Sequence, residues 1–580
     1  MESEKRNKRR RIQKKAEALL KVSSGEDVHE HEDDSFNNEI TFSNDNLYTT
    51  EKDCETEEDI FDSDDYDDDN DSDSNSHFSD WNTSEDDELD SSFQETNSLP
   101  QNLANWVSKH EITREATNEL LSLLLKHGMD VPKDKRTLCK TPRNIEVVDK
   151  SGGKYFYLGI ENGVTKAIKH LKQFSQIDLS VNIDGLPLCR SSKSQLWPIL
   201  GSINNSSFIF AIAIFHSNSK PGSVNEYLED FISEVQKLSL NGIVLNGINY
   251  AFRLKCFICD APARAFLKCI IGHGGYHSCE RCDIVGTRVQ NRTVFNSATP
   301  GTGRTMEEFE IGSYLGSHQR AISPLVDLGI DCINQFPLDY MHSILLGVLK
   351  RMLTFLIKGP KICRLSSHHI SKISERLNNL NGNMPSEFNR QPRGLDELCY
   401  WKSTEYRQFL LYHGPVVLKG IVPDNVYQHF LALHISMSIL LKEGIESSIQ
   451  YITYAKELLT WFVSNSVIVF GESFCVYNVH CLLHIADDVT YFSSSLNEIC
   501  AFKFENFMQV FKRKIRNSKN PVAQIVKRFA EEPNVVRVTS DCNKLHPTMK
   551  ATDKDGCFLL KNGNICQLPS WLDEVCCNLM

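Results

Sequence analysis

The hydrophobic pattern between residues 177 and 260 limits the fold of this chain more than any other feature. Short apolar or alternating runs at 178–183, 197–203 and 208–215 are separated by Gly, Asn and Ser, which is typical of strands joined by tight turns. Pro221-Gly222-Ser223 then starts a helix with one apolar stripe, and 248–259 has the pattern of a further strand. The order strand, strand, strand, helix, strand predicts a mixed sheet covered by helices.

Helical spacing dominates the chain between about residues 320 and 495. Apolar stripes with a helical period occur in 344–356, 427–441 and 452–469. Together with the elements before residue 260, they predict an α/β protein. The strand order is that of the opening of a ribonuclease-H-like layer, and a disordered acidic N-terminal region is expected to precede it.

The first 90 residues differ sharply in charge from the rest of the chain. They contain 31 acidic and 10 basic residues, a net charge of −21, whereas the remaining 490 residues carry +8. Between Glu26 and Asp90 there are 28 acidic residues, and Lys52 is the one Lys or Arg among them. Mutual repulsion and a lack of apolar surface predict that this tract is unfolded. Two roles stay open for it: an interaction or activation segment, and a solubilising tail that shields a basic body.

A basic cluster lies at the start of the chain. It predicts a nuclear import signal or a nucleic-acid-binding arm, although a solvated start of a charged helix has the same composition. We therefore expect the protein to act in the nucleus. The cluster consists of Lys5, Arg6, Lys8, Arg9, Arg10, Arg11, Lys14 and Lys15.

Membrane and secretory signals are weak in this sequence. The longest apolar run, 208–215, is far shorter than the ~20 residues of a membrane helix, and the first 20 residues have no apolar signal-peptide core. We therefore expect a soluble protein kept inside the cell. Its 19 cysteines, an odd number, favour reduced thiols with perhaps one metal site over a disulfide framework.

These patterns divide the chain into seven segments. Helical spacing that begins at Leu103 stops at Gly128, which is typical of a helical module closed by a glycine. We assign residues 1–22 to the basic arm, 23–98 to the acidic segment, 99–150 to the helical module and a basic connector, 151–282 to the first part of the core, 283–495 to the helical insertion, 496–530 to a helix that closes the core, and 531–580 to a small C-terminal appendage.

Two aspartates follow predicted strands directly. Asp184 stands where the first strand ends, and Asp260 has the same place after the later strand. Aspartate before Gly or Ala-Pro is also a common turn former. Adjacent strands of one sheet would bring the two carboxylates side by side, however, and such a pair favours a hard divalent cation such as Mg²⁺ or Mn²⁺. Phosphodiester chemistry suits a site of this kind, and a third carboxylate normally completes it.

Glu505 is the best candidate for the third carboxylate. On a helix Phe504, Phe507, Met508, Phe511 and Ile515 would form one apolar stripe, with Glu505, Lys512 and Arg516 in line on another face. With Arg513, these cations would contact a nucleic-acid backbone that passes the metal. The alternative is an ordinary amphipathic helix with a solvated basic face.

Four short blocks follow one another along the chain. They are Ile183-Asp184-Gly185-Leu186-Pro187 with Trp197-Pro198-Ile199-Leu200, Asp260-Ala261-Pro262-Ala263-Arg264 with Cys279-Glu280-Arg281-Cys282, Asp339-Tyr340-Met341-His342, and Phe504-Glu505-Asn506-Phe507. In this order the blocks resemble those of the CACTA-type (En/Spm) transposases and their animal relatives. The resemblance covers about residues 100 to 550 and does not extend to the acidic tract.

This resemblance implies an α/β fold with a ribonuclease-H-like catalytic core, interrupted by a long helical insertion between Asp260 and Glu505. Asp184, Asp260 and Glu505 would form its metal-binding catalytic triad. Glu498 lies close enough in sequence to Glu505 to be an alternative. Asp339 and His342 match an Asp-x-x-His element of the family, and we expect them to support the site.

The cysteines allow two zinc sites. Cys256-x2-Cys259 and Cys279-x2-Cys282 have the spacing of a four-cysteine site, but residues three apart on a regular strand point to opposite faces. His273, His277, Cys279 and Cys282 are a tighter set in a Gly-rich loop, and we take them as the candidate ligands of a structural Zn²⁺. The alternative is two loop cysteines and two surface histidines.

The expected function is metal-dependent DNA cleavage and strand transfer by a transposase, or DNA binding by a protein derived from one. The partners expected are transposon terminal repeats and either further copies of the chain or a separate DNA-binding protein. Two alternatives stay open: an adopted, catalytically inactive DNA-binding or scaffolding protein with an acidic interaction tail, and a plain metal-dependent nuclease. No familiar sequence-specific DNA-reading motif stands out in the sequence.

Overall fold

The computed structural model describes residues 98–531, apart from 172–173, 190–191, 386–387 and 389, and two further strands, Cys557–Leu559 and Ile565–Gln567. The basic arm and nearly all of the acidic segment lie outside the described residues, as does most of the C-terminal appendage. In that appendage the two strands pair antiparallel.

The architecture is mixed α/β, with one large sheet and many helices. The strands are β1 Val148–Lys150, β2 Gly153–Tyr157, β3 Gln176–Ile183, β4 Leu186–Pro187, β5 Gln195–Ile203, β6 Phe210–Ser217, β7 Ile243–Leu245, β8 Ile248–Phe257, β9 Thr287–Val289 and β10 Arg292–Val294. The sheet has eight of these strands, in the order β1-β2-β6-β5-β3-β8-β7 with β4 paired to β5. β9 and β10 form a separate hairpin later in the chain.

The predicted order of three strands, a helix and a strand is confirmed. β3, β5 and β6 pair antiparallel in sequence, and β8 returns parallel to β3 through the helix Val224–Asn241. Ser223 caps that helix by accepting a hydrogen bond from the Glu226 amide at 3.3 Å. Because β3 and β8 are parallel neighbours, both end at the same edge of the sheet.

Both faces of the sheet are buried. Alternate residues of β5 belong to different apolar cores, with Leu196 and Leu200 on one side and Trp197 and Ile199 on the other. The first core continues into the helices after residue 340, and the second includes the helix Val224–Asn241. The ends of the strands are therefore held in place by packed layers on both faces of the sheet.

Helices make up most of the remaining described chain. The stripes predicted at 344–356, 427–441 and 452–469 lie in helices, except that Leu441 directly follows the last residue of its helix. The segment Met341–Leu349 is π-helical and continues directly into an α-helix. The α-helices are Leu99–Lys109, Arg114–Lys126, Lys135–Leu138, Ile160–Ala167, Val224–Asn241, Ala261–Leu267, Met306–Glu310, Lys350–Lys358, Ser367–Asn378, Ser403–Gln408, Gly414–Val417, Asp424–Leu440, Ile449–Phe470, Tyr477–Cys481, Ile485–Phe492, Phe502–Lys514 and Pro521–Ala530.

The helical module near residue 100 consists of two long helices and a short one. The helical spacing predicted from Leu103 to Gly128 is interrupted at Glu111, whose φ of 50° is not helical. The second helix ends before Gly128, whose φ of 78° explains the glycine there. Val107 and Leu121 form part of a small core of this module.

Within the part of the chain that the structure describes, we find no helix with both the length and the apolar character needed to cross a bilayer.

Candidate functional site

Asp184 and Asp260 stand at the same edge of the sheet, as their positions after two strands predict. Asp184 follows the last residue of β3, and its Oδ1 accepts a hydrogen bond from the Gly185 amide at 2.6 Å. Asp260 follows β8 and caps the helix Ala261–Leu267, where its Oδ1 accepts from the Ala263 amide at 2.7 Å. Each side chain is therefore fixed by the turn that ends its strand.

Glu505 reaches this edge from the helix Phe502–Lys514. One ligand atom each of Asp184, His342 and Glu505 lies within 4.8 Å of the others, so the three can hold one metal ion. Glu498 points elsewhere, because its Oε2 accepts from Nδ2 of Asn205 at 2.9 Å. Of the two candidate glutamates, the structure brings Glu505 to Asp184. Asp260 is not part of this group of three.

Asp339 and His342 connect the site to the start of the Glu505 helix. Oδ2 of Asp339 lies 2.7 Å from Nδ1 of His342, and Oδ1 accepts from the Ala501 amide at 2.7 Å. Nε2 of His342 lies 3.9 Å from Oε1 of Glu505. The predicted supporting pair therefore lies at the site, and the histidine is part of the group that can hold an ion.

The carboxylates of the site are too close and too buried to ionise independently. Burial and then the charge of Glu505 raise the pKa of Asp184 well above its usual range. Burial and then the charge of Asp184 raise the pKa of Asp260 to about 7, and burial also raises the pKa of Glu505. A cation at this position would relieve the repulsion.

His342 supplies one positive charge to this site. Burial opposes its protonation, but the hydrogen bond to Asp339 and the charges of Asp339, Asp184 and Glu505 outweigh burial and raise the pKa of His342 to about 10. The imidazolium therefore balances part of the negative charge when no metal is bound.

The basic residues after Glu505 differ from the prediction in one respect. The helix ends at Lys514, and Ile515 is extended with φ −92° and ψ 119°, so Arg516 does not lie on the helix. Arg513 and Arg516 are exposed, and Lys512 is half-buried. The basic patch therefore begins on the last helical turn and continues along the loop that follows it.

A second cluster of metal-ligand type is fully buried. Cys279, Cys282, His480 and His484 offer ligand atoms that all lie within 4.8 Å of one another. Nε2 of His480 lies 3.2 Å from Sγ of Cys279 and 3.4 Å from Sγ of Cys282. Two cysteines and two histidines at this separation could hold a structural metal such as zinc.

The predicted zinc ligands are half right. Cys279 and Cys282 belong to the cluster, but its histidines are His480 and His484 instead of His273 and His277. The ring of His273 lies beside Tyr477, with centroids 6.3 Å apart, and the His277 carbonyl faces Nδ1 of His318 at 2.7 Å. The histidines of the cluster lie about 200 residues later in the chain, and their His-x3-His spacing was the signal available in the sequence.

The four-cysteine alternative does not form. Cys256 lies in β8, with its Sγ 3.5 Å from Oγ of Ser180, and it does not join the cluster; nor does Cys259. The two cysteines are buried in different apolar cores, Cys256 in the first and Cys259 in the second, so they do not face one site.

The two residues between Cys279 and Cys282 contact elements of the carboxylate site. Glu280 forms buried ion pairs with Arg264 at 2.9 Å and Lys268 at 2.7 Å, and Arg264 also donates to the Cys259 carbonyl at 2.8 Å. This arginine lies on the helix that Asp260 caps. The cysteine loop therefore packs against the backbone that positions Asp260.

Arg281 makes the corresponding contact on the other side. Its NH2 lies 2.7 Å from Oδ1 of Asp488, whose Oδ2 accepts from the Leu338 amide at 2.7 Å. Leu338 immediately precedes Asp339, so this contact fixes the turn that carries the Asp339–His342 pair.

Comparison with known proteins adds no identification. Neither the models of protein families nor the curated proteins contain a match to this chain. What the two clusters do chemically is therefore inferred from their own residues and geometry.

Proposed function

We propose that the protein is a transposase of the CACTA (En/Spm) type, or a protein derived from one, that cuts and joins DNA strands with divalent cations. The observation that carries this proposal is the meeting of Asp184 and Glu505 at one strand edge, beside Asp260, although more than 300 residues separate the first from the last. These are the three carboxylates that the resemblance selects.

The sheet supports a ribonuclease-H-like core. Three antiparallel strands in succession, then a helix and a strand parallel to the first, are the elements expected of that core, and the two aspartates follow its first and fourth strands. The helices after residue 340 would then be the insertion that separates Asp260 from Glu505. Fold and site are consistent with each other.

The residues fit a bound divalent cation. Oε1 of Glu505 is shielded from solvent and accepts no hydrogen bond among the described residues, and Asp184 is buried beside it. Such a carboxylate oxygen lacks a partner that a cation would provide. Divalent ions bound there, Mg²⁺ or Mn²⁺, supply Lewis-acid chemistry for phosphodiester cleavage and strand transfer.

The chain's own residues would orient the reaction. Asp184, Asp260 and Glu505 are held by a turn, a helix cap and a packed helix, so little reorganisation is needed when an ion binds. Asp339 fixes the His342 ring and the first turn of the Glu505 helix together. Exposed Arg513 and Arg516 would contact the phosphates of a strand that passes Glu505.

A structural Zn²⁺ in the cluster of Cys279, Cys282, His480 and His484 completes the proposal. It would tie the loop after Asp260 to the helix Tyr477–Cys481, which comes shortly before Glu505. We propose the nucleus as the place of action, DNA with terminal repeats as the partner, and assembly as a homo-oligomer or with a separate DNA-binding protein.

One observation favours an inactive, adopted DNA-binding or scaffolding protein as the second candidate. His342 can neutralise part of the carboxylate charge without a metal, and a site that no longer binds ions would remain stable for that reason. The same carboxylates would then be structural.

Analysis of the DNA products distinguishes these functions. The full chain is incubated with Mn²⁺ or Mg²⁺ and a duplex carrying the sequences that flank its gene, together with a target plasmid. Cleavage with joining of the new 3′ hydroxyl to the target is the expected result. Cleavage without joining would indicate a plain nuclease, and binding without cleavage would indicate the adopted protein.

A further inference from the structure

A histidine nitrogen lies among the carboxylates of the proposed site. We propose that His342 is itself a ligand of the cation, through Nε2, and that the site therefore prefers a first-row transition-metal dication such as Mn²⁺ to Mg²⁺. This inference rests on the carboxylate metal site proposed above and changes His342 from a supporting residue to a ligand.

The contacts of His342 show which nitrogen faces the carboxylates. Nδ1 is engaged by Oδ2 of Asp339 at 2.7 Å, and the His342 amide donates to the same oxygen at 3.0 Å. Nε2 is the nitrogen directed toward Glu505, 3.9 Å from its Oε1. A carboxylate that holds one imidazole nitrogen while the other faces the metal is the usual support of a histidine ligand.

Asp339 is well placed to give this support. Its exposed fraction is 1 %, and its second oxygen accepts from the Ala501 amide at 2.7 Å, so it cannot turn away without breaking the start of the Glu505 helix. The ring of His342 is therefore fixed relative to Glu505. A ligand held in advance loses little entropy when an ion binds.

The spacing of the group suits one ion with mixed ligands. Ligand atoms of Asp184, His342 and Glu505 lie within 4.8 Å of one another, a separation that one central ion can bridge. Mg²⁺ takes oxygen ligands almost exclusively, whereas imidazole is a good ligand for transition metals. One nitrogen and two carboxylates therefore shift the preference from Mg²⁺ toward the transition-metal dications.

The alternative is that His342 acts only as a cation that pairs with the two carboxylates. In that case its nitrogen would not be bonded to the metal. Electron paramagnetic resonance of bound Mn²⁺ separates the two cases, because an imidazole nitrogen in the coordination sphere produces a nitrogen coupling in pulsed spectra.

The test uses the full chain, loaded first with one equivalent of Zn²⁺, which the thiolates of the cluster of Cys279, Cys282, His480 and His484 bind in preference to the carboxylate group, and then titrated with Mn²⁺. Wild type is compared with His342→Gln, with Asp184→Asn, and with His369→Gln as a matched control at an exposed histidine. We expect one Mn²⁺ whose binding requires Asp184, with nitrogen coupling in wild type and His369→Gln and none in His342→Gln. The ratio of Mn²⁺ to Mg²⁺ affinity should fall on the order of 10-fold in His342→Gln.

The possible failures are distinguishable. Mn²⁺ that requires Asp184 but shows no nitrogen coupling in the wild type would overturn the histidine ligand and leave the carboxylate site intact. Absence of any Mn²⁺ that depends on Asp184 would overturn the proposed function as well. If His342→Gln does not fold, the wild-type spectrum beside Asp184→Asn still decides, since His342 is the histidine within the group.

Discussion

Arg264 and Glu280 form a buried ion pair, with Nε 2.9 Å from Oε1 and both side chains less than 5 % exposed. Arg264 belongs to the helix capped by Asp260, and Glu280 stands between the two cysteines of the Cys/His cluster. The two candidate metal sites therefore share one buried ion pair. A substitution that disrupts the structure of one site should also disturb the structure of the other.

The first prediction concerns that support. Glu280→Gln removes the partner of two buried cations, Arg264 and Lys268, and should lower the free energy of unfolding by about 3–5 kcal/mol. Denaturant titration of wild type and variant measures this loss of unfolding free energy. Asp178→Asn is the matched control, because its ion pair with the largely exposed Arg253 should contribute less than about 1 kcal/mol. Equal losses in the two variants would refute the buried network as a major source of stability.

The second prediction concerns the zinc ligands. Purified protein should contain one zinc per chain, and Cys279→Ser or His480→Asn should lose it, because each removes one of four ligands. His273→Asn and His277→Asn should keep the zinc, since neither belongs to the cluster. Metal content by mass spectrometry is the measurement. Loss of zinc from the His277 variant would show that the ligand set is wrong.

The third prediction concerns pH. His318 is fully buried; burial and then nearby Arg304 lower its pKa to about 4, against an ordinary value of 6.5. The unfolded chain therefore binds a proton to this histidine more readily than the folded chain does. The contribution of neutral His318 to the free energy of unfolding is fully present above pH 6.5. It decreases as the pH falls toward 4, by about 3 kcal/mol in total.

A comparison with His318→Gln isolates this effect from the other titrating groups. The difference in unfolding free energy between wild type and variant should shrink as pH falls from 7.5 to 4, and a difference that does not vary with pH would contradict it. Both proteins are measured by the same denaturant titration at each pH.

The fourth prediction concerns nucleic-acid binding. Arg513→Gln with Arg516→Gln should weaken DNA binding and reduce the slope of log affinity against log salt by about 2, since we propose that each exposed arginine contacts one phosphate. Fluorescence anisotropy at several salt concentrations measures the slope. Lys361→Gln, an exposed lysine of another segment, is the control and should leave it unchanged. An unaltered slope in the double variant would place the DNA elsewhere.

The sequence predicted those parts of the site that are set by residues close together in the chain. The strands and helix between 177 and 260 follow from apolar periodicity, and the ends of β3 and β8 place Asp184 and Asp260 without further information. The hairpin of β1 and β2 was missed because the strands are short and half-exposed, so their alternation is weak.

Long-range contacts explain the errors. His480 and His484 meet Cys279 through packing of the helix Tyr477–Cys481 and the turn that follows it, and nothing near the cysteines in sequence selects them over His273 and His277. Arg516 was assigned to a helix whose apolar stripe continues to Ile515, but the backbone leaves the helical region at that residue. A periodic pattern locates a helix better than it locates its last turn.

Cleavage of DNA by matched glutamate variants tests the central claim most directly. The full chain, with Mn²⁺ and the flanking duplex, is compared with Glu505→Gln and Glu498→Gln, which make the same chemical change seven residues apart. We predict cleavage by wild type and Glu498→Gln and a loss of at least about 100-fold in Glu505→Gln, because only Glu505 reaches Asp184. Equal cleavage by both variants, with folding intact, would contradict the assignment of the carboxylate site.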